Sequence, residues 1–415
     1  MPGPARPTFY PPGDSPTAFA LVRRLFGQVR RHWFGIPQID CPAADFERLA
    51  RLTARPALIC SNHPTLAEPL VVLELLGRLG RRPGFVMDFY TLRRFGPLRP
   101  LMQAAGGYSL RRASADRDCF AATRRLLLDG RGAVLFPEGE TYGLNDTLLP
   151  FHEGVAQMGL WGLADRRKAE LEPTVALLPL AIKYYWLGDG RPAIEAALAR
   201  LERRLKLAPD DSLTRYQRLR RVAWAVMAAL EHTEGLHVPA EADLNQHIEA
   251  LSGRLIERLS RTLEVEPAPG ANLQDQLRRL YNVVDERLFE SGERDATPYE
   301  RDLQRQHEPA WRAFERDLAR LQCFQAVRDG YVAAHPSAER YLDVLGRLER
   351  ELLGRDRGYG RRRAVVRVGE PVELQDYWEA YRADRKAALT AITSELRTRL
   401  AGLLEELGAA APVID

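Results

Sequence analysis

The feature that most constrains the fold is an alternation of short apolar runs with helical patterns in the first half of the chain. A helical pattern covers residues 116–128 and is closed by Gly130, a residue type that commonly ends helices. Four buried strands are predicted from the apolar runs, at residues 57–60, 84–89, 133–136 and 175–182. Because strands that alternate with helices form parallel sheets covered by helices, the sequence predicts an α/β domain with a mixed, largely parallel sheet.

A long stretch without any strand pattern follows this region, and its apolar residues recur at helical spacing. A strand with a turn (364–374) and a closing helix (384–407) then return. We therefore expect a large all-helical insertion in the α/β domain, although a separate C-terminal domain also fits the pattern. The expected division is a proline-rich leader with a basic helix at 1–44, the α/β domain at 45–186, the helical insertion at 187–362 and the closing strand and helix at 363–415.

Composition excludes several classes of protein. With 415 residues, 45% hydrophobic and 28% charged residues and a net charge of +4, the chain resembles an ordinary globular protein, and no nucleic-acid partner is expected. Its longest uncharged run, residues 56–67, is too short to span a bilayer, which takes about 20 residues. The first residues do not resemble a secretory signal, so a cytoplasmic protein is expected. Four scattered cysteines and eight histidines form no metal-ligand pattern, so no metal site is predicted.

The leader contains one predicted helix. Ser15 is a suitable N-cap, Pro16 suits the first helical position, and the helix should run to about Trp33. Its apolar side chains fall in one sector, comprising Phe19, Val22, Leu25, Phe26, Val29 and Trp33, while arginines lie beside or opposite it. Two interpretations are open: a helix that packs on the domain, or a basic helix that lies in the interface of an anionic membrane.

The loop after the first predicted strand carries a histidine and a carboxylate. His63 follows Asn62, and Glu68 lies five residues further on. Parallel sheets hold their sites at the carboxyl ends of strands, and an imidazole oriented by a carboxylate can act as a general base. Thr65 and Glu68 also match a helix capping box, in which the glutamate only satisfies backbone N–H groups. The sequence leaves both interpretations open.

Two further segments follow predicted strand regions. Gly106 and Gly107 precede Arg111 and Arg112, whose planar guanidinium groups suit a phosphate, although arginines at such a place are commonly solvated. Glu138 and Gly139 follow a buried strand, where they could line a ligand pocket or simply end the strand.

Together and in this order, these segments resemble the glycerolipid acyltransferase family, which includes 1-acyl-glycerol-3-phosphate acyltransferases. The four blocks of that family correspond here to Asn62-His63 with Glu68, residues 106–112, residues 136–139, and the apolar residues 175–182 with Pro179. The family usually has aspartate where Glu68 stands and threonine where Glu140 stands.

The resemblance implies transfer of a fatty acyl group from acyl-CoA or acyl carrier protein to a hydroxyl of a lysophospholipid such as 1-acyl-glycerol 3-phosphate, without a cofactor. His63 would be the general base and Glu68 its partner. The expected substrate-binding residues are Asn62, Arg111, Arg112, Glu138 and Gly139. The basic helix would contact the inner face of the membrane. Two alternatives follow from Glu68 and Glu140: an acyltransferase for a phosphate-free acceptor, or a non-catalytic lipid-binding protein.

Overall fold

A computed structural model describes residues 9–111, 116–239, 241–266, 273–289, 297–354 and 360–414 of the chain. The chain forms two compact units. The sheet unit comprises Met1–Thr141, Asp146–Leu187 and Gly360–Ala411, and the helical unit comprises Tyr142–Asn145, Gly188–Tyr359 and Pro412–Asp415.

The sheet unit is built on one sheet, which has eight strands within the described residues. The strands are β1 (Gln38–Asp40), β2 (Ala57–Ser61), β3 (Gly84–Asp88), β4 (Gly107–Leu110), β5 (Ala133–Leu135), β6 (Ala176–Trp186), β7 (Arg362–Val368) and β8 (Val372–Glu373). Their order is β1-β7-β6-β2-β5-β3-β4, with β8 beside β6. Strands β2 to β6 run parallel to one another, and only β7, β8 and β1 run the other way. The predicted mixed, largely parallel sheet is confirmed.

Some helices flank this sheet, and others form the helical unit. In chain order the α-helices of the described residues are α1 (Pro16–Gln28), α2 (Ala43–Leu52), α3 (Glu68–Arg78), α4 (Phe89–Arg94), α5 (Arg99–Ala104), α6 (Arg117–Leu128), α7 (Gly154–Lys168), α8 (Arg191–Arg204), α9 (Arg215–Glu234), α10 (Leu244–Thr262), α11 (Leu273–Phe289), α12 (Pro298–Ala326), α13 (Ala338–Leu353), α14 (Trp378–Ala383) and α15 (Arg385–Ala409). None of them is long and apolar enough to cross a membrane.

Both faces of the sheet are covered, which explains why its strands are uniformly apolar. Side chains alternate between the faces, so Ile59 packs on the side of α2 and α3 while Leu58 and Cys60 pack on the side of α6, α7 and α15. All five residues of β2 are buried. Because β2 lies between β6 and β5 in the middle of the sheet, the loop that follows it has a rigid support.

The leader helix starts as predicted, and the first part of its predicted apolar face packs inward. The Ser15 side chain accepts from the backbone N–H of Ala18, and Pro16 is the first helical residue. Phe19 and Val22 pack against the domain, as expected for part of the predicted apolar face.

The end of the same helix departs from the predicted face. Residues 29–33 form a π-helix, whose wider turn changes the direction of the side chains that follow. Arg30 is buried and donates to the Ile36 carbonyl, whereas Trp33, at the end of the π-helix, is 84% exposed.

The helical unit has its own core. Leucines at helical spacing on α10, α11 and α12 pack together, among them Leu251, Leu255, Leu280 and Leu318. A capping box of Thr214 and Gln217 opens α9, and Gly235 in the left-handed region ends it.

Candidate functional site

The candidate site lies at the carboxyl edge of the parallel strands. Strand β2 ends at Ser61 and leads into Asn62 and His63, and β5 ends at Leu135 and leads into Glu138. These strands are neighbours in the sheet, so their loops meet. This edge is where parallel α/β sheets place their ligands.

His63 is held on three sides. Its ring stacks on Phe136 with ring centroids 4.1 Å apart, and its backbone N–H donates to Glu138 Oε1 at 2.8 Å. Its Nδ1 lies 2.9 Å from Glu68 Oε2. The side chain is 14% exposed, and no group among the described residues bonds its Nε2. With the proton on Nδ1, Nε2 carries a lone pair that can accept a proton from a bound hydroxyl.

Glu68 has no exposed surface and accepts four hydrogen bonds. Oε2 accepts from His63 Nδ1 and from the backbone N–H of Thr65 at 3.0 Å. Oε1 accepts from the Thr65 and Tyr184 hydroxyls, both at 2.6 Å. The carboxylate thus binds a backbone N–H, as a capping glutamate does, and also orients the imidazole, as a catalytic pair requires.

Tyr184 is a member of this site that the sequence analysis missed. The predicted strand ended at Ile182, but β6 continues to Trp186. Burial and the nearby Glu68 raise the pKa of the Tyr184 phenol well above its ordinary value, so the phenol remains a hydrogen-bond donor. The β-forming residues after Ile182 and the two-residue period of a strand would have placed Tyr184 on the same face as Ile182.

Asn62 is fully buried and bonds the backbone of Ile182 in both directions. Its amide nitrogen donates to the Ile182 carbonyl, and the Ile182 N–H donates to its amide oxygen, both at 2.8 Å. The side chain therefore extends the pairing of β2 with β6 by one step. This geometry indicates that Asn62 holds the loop in place. The sequence predicts a contact with the substrate instead.

Glu138 is also fully buried. Besides accepting from the His63 N–H, it accepts through Oε2 from the backbone N–H of Leu149 at 2.6 Å. The carboxylate joins the loop after β2 to the loop after β5, so its contacts are those of a residue that positions His63. The sequence predicts instead that Glu138 lines the acceptor pocket.

Gly139 has a φ of +77°, and a Cβ there would lie 3.1 Å from the His152 ring. Both constraints favour glycine at this position.

Arg111 follows β4, three strand spacings or about 14 Å from β2. Its guanidinium lies over the Phe89 ring, 4.2 Å from the centroid, and therefore near the carboxyl end of β3. Its backbone N–H donates to Asp116. The structure thus places Arg111 at the same sheet edge as His63 but not in contact with it, and Arg112 lies outside the described residues.

Ser109, next to this segment, fixes the leader to the sheet edge. Its hydroxyl accepts from the Tyr10 N–H at 2.8 Å, and its own N–H donates to the Tyr10 carbonyl. The Tyr10 ring stacks on Phe89, on which the Arg111 guanidinium also lies. Nothing in the described part of the chain groups three or more potential metal ligands.

Comparison with protein families identifies this region. Residues 44–183 match the family model described as Acyltransferase, and this segment is an acyltransferase domain of the glycerolipid acyltransferase family. The matched segment contains His63, Glu68, Arg111 and Glu138 and ends one residue before Tyr184. A search of curated proteins finds no match to the chain. The match supports a transferase with acyltransferase activity in general terms.

Proposed function

We propose that the acyltransferase domain moves a fatty acyl group from a thioester donor, acyl-CoA or acyl carrier protein, to a hydroxyl of a lysophospholipid such as 1-acyl-glycerol 3-phosphate. The observation that carries the proposal is the His63–Glu68 pair at the carboxyl edge of the sheet. The buried Glu68 carboxylate orients the His63 ring through Nδ1, and His63 Nε2 has no partner among the described residues. Such a pair suits a general base.

The residues present support a direct transfer. His63 Nε2 takes the proton of the acceptor hydroxyl while the hydroxyl oxygen attacks the thioester carbonyl carbon. The C–S bond of the resulting tetrahedral intermediate then breaks, and the imidazolium returns the proton to the leaving thiolate. Glu68 stabilises the transient imidazolium, as the carboxylate of a catalytic triad does. No acyl-enzyme intermediate is needed.

Arg111 supports a phosphate-bearing acceptor. Its guanidinium is held over Phe89 at the edge of the sheet that also carries His63, and guanidinium groups bind phosphate in a planar, bidentate manner. In this proposal the arginine holds the phosphate of the acceptor while the acceptor hydroxyl faces His63 Nε2.

The experiment measures transfer from labelled palmitoyl-CoA to lysophosphatidate and to a neutral monoacylglycerol. We expect acylated lysophosphatidate, and for Arg111→Gln a KM for lysophosphatidate at least about tenfold higher, because a charge-assisted hydrogen bond is worth about 1.5–3 kcal/mol. The matched control is Arg125→Gln, whose side chain is 76% exposed on α6 and pairs with Asp129.

The other outcomes separate the alternatives. Transfer only to the neutral acceptor, unaffected by Arg111→Gln, would indicate a phosphate-free acceptor. No transfer to any acceptor by folded protein would favour a non-catalytic lipid-binding protein.

We also propose that the leader helix contacts the inner face of an anionic membrane, through the apolar side chains that stay exposed on it. Phe19 and Val22 are buried in the domain, but Leu21, Leu25 and Trp33 are 54%, 43% and 84% exposed. Arg24 and Arg31 are exposed on the same helical segment. Exposed apolar side chains flanked by arginines suit an anionic lipid surface.

Vesicle sedimentation tests this contact. The Trp33→Ser/Leu21→Ser variant is expected to bind vesicles containing anionic phospholipid at least about tenfold more weakly than the unmodified protein. The control is Trp161→Ser/Leu171→Ser, which removes two side chains that are 38% and 41% exposed elsewhere on the sheet unit. Equal binding by both variants would contradict the proposed face.

A further inference from the structure

We propose that Tyr184 is a positioning residue of the catalytic pair, and that its hydroxyl is what allows a glutamate to act at position 68. The inference rests on the proposed function, because it assigns Tyr184 a part in orienting the general base. Tyr184 lies outside the segment that matches the acyltransferase family model, so the family match assigns it no role.

The long strand β6 brings Tyr184 to the pair. The last paired residues of β2 and β6 are Ser61 and Leu180, and β6 continues for six residues past that point. Tyr184 is four residues beyond the pairing, about 13 Å along the strand. It points to the face that holds α3, whose first residue is Glu68. This extension of β6 beyond β2 therefore places the Tyr184 hydroxyl at the Glu68 carboxylate.

Two hydroxyls on one oxygen set the orientation of the carboxylate. Tyr184 and Thr65 both donate to Glu68 Oε1 at 2.6 Å, which leaves Oε2 directed at His63 Nδ1. Glutamate has one more rotatable bond than aspartate, and an unfixed carboxylate would misplace the imidazole. Displacements of about 1 Å at such a site can cost about 10²-fold in rate, so fixing this bond has a direct effect on catalysis.

The Tyr184 hydroxyl also disperses the negative charge of Glu68. Its loss would make the carboxylate a stronger acceptor for His63 Nδ1–H and would hold the protonated imidazole more firmly. Among the described residues, the charged groups near the pair include Glu138 on the loop after β5, the Arg362 guanidinium 5.2 Å from the Tyr184 ring centroid, and the buried Arg30. None of them is altered by replacing the phenol with a phenyl ring.

The test compares Tyr184→Phe with Tyr185→Phe. The neighbouring Tyr185 is buried on the opposite face of the same strand, and its hydroxyl donates to the Leu407 carbonyl at 2.6 Å. Both variants lose one buried hydroxyl and should lower Tm by about 2–4 °C. Only Tyr184→Phe should lower kcat, by about fivefold to tenfold, and move the acidic limb of the pH–kcat/KM profile to higher pH by about half a unit.

The proton NMR resonance of His63 Nδ1–H gives a measurement that needs no activity. It should move further downfield in Tyr184→Phe than in the unmodified protein and stay in place in Tyr185→Phe. If the unmodified protein transfers no acyl group, the proposed function fails, yet this resonance still tests the contact. An unchanged resonance and pH profile in Tyr184→Phe would overturn the inference.

A second variant covers the case in which Tyr184→Phe does not fold. The shorter carboxylate of Glu68→Asp cannot meet both His63 Nδ1 and the Tyr184 hydroxyl, so kcat should fall by about tenfold or more. The Nδ1–H resonance should weaken or move at the same time. Full activity of Glu68→Asp would show that the site does not depend on a carboxylate that meets both His63 Nδ1 and the Tyr184 hydroxyl. That result would overturn the inference.

Discussion

Replacement of His63 by alanine is expected to lower kcat for acyl transfer by about 10³-fold. The variant removes Nε2, the group proposed to take the proton of the acceptor hydroxyl, and general-base catalysis typically contributes about 10²–10⁴-fold. Because the ring also stacks on Phe136, a small loss of stability is expected as well. The measurement is the rate of transfer from labelled palmitoyl-CoA, with Tm recorded for the same preparation.

The control for His63→Ala is His32→Ala, which alters an exposed histidine of the leader and should leave kcat unchanged. Glu68→Gln should give a smaller loss than His63→Ala, because the imidazole remains and only its orientation and the stabilisation of its charge are impaired. Activity of His63→Ala within tenfold of the unmodified protein would contradict the proposed base.

The sequence predicted the central strands because both faces of the sheet are buried, so each strand is a continuous apolar run. Strands β1 and β4 were missed for physical reasons. The former has three residues with a single buried side chain, and the latter contains Gly107 and Ser109, which are poor strand formers. Besides its pairing with β3, Ser109 bonds Tyr10, a partner 99 residues away that the local sequence does not reveal.

The site was predictable where its residues are close in sequence. His63 and Glu68 are only five residues apart, and their spacing alone indicates a pair. The roles of Asn62 and Glu138 could not be predicted, because each side chain bonds backbone groups of a distant segment. A carboxylate that binds a ligand and one that binds two backbone N–H groups have the same sequence signature.

Replacement of Glu138 by glutamine separates these two roles. Each carboxylate oxygen accepts a backbone N–H, one from His63 and one from Leu149, and an amide has only one oxygen to offer. One N–H would then face an NH₂ group, which costs about 1–3 kcal/mol of the free energy of unfolding. The displaced His63 loop should lower kcat by about 10²-fold, with little change in the KM of the acceptor.

A substrate contact by Glu138 predicts the opposite pattern. The KM of the acceptor would then rise in Glu138→Gln while kcat and Tm stayed close to those of the unmodified protein. The control is Glu153→Gln, an exposed carboxylate that accepts from Thr390 and should change neither constant. Because Glu138 has no exposed surface, a bound acceptor could reach its carboxylate only if the surrounding residues moved. We therefore expect the loss in kcat and in Tm to appear together.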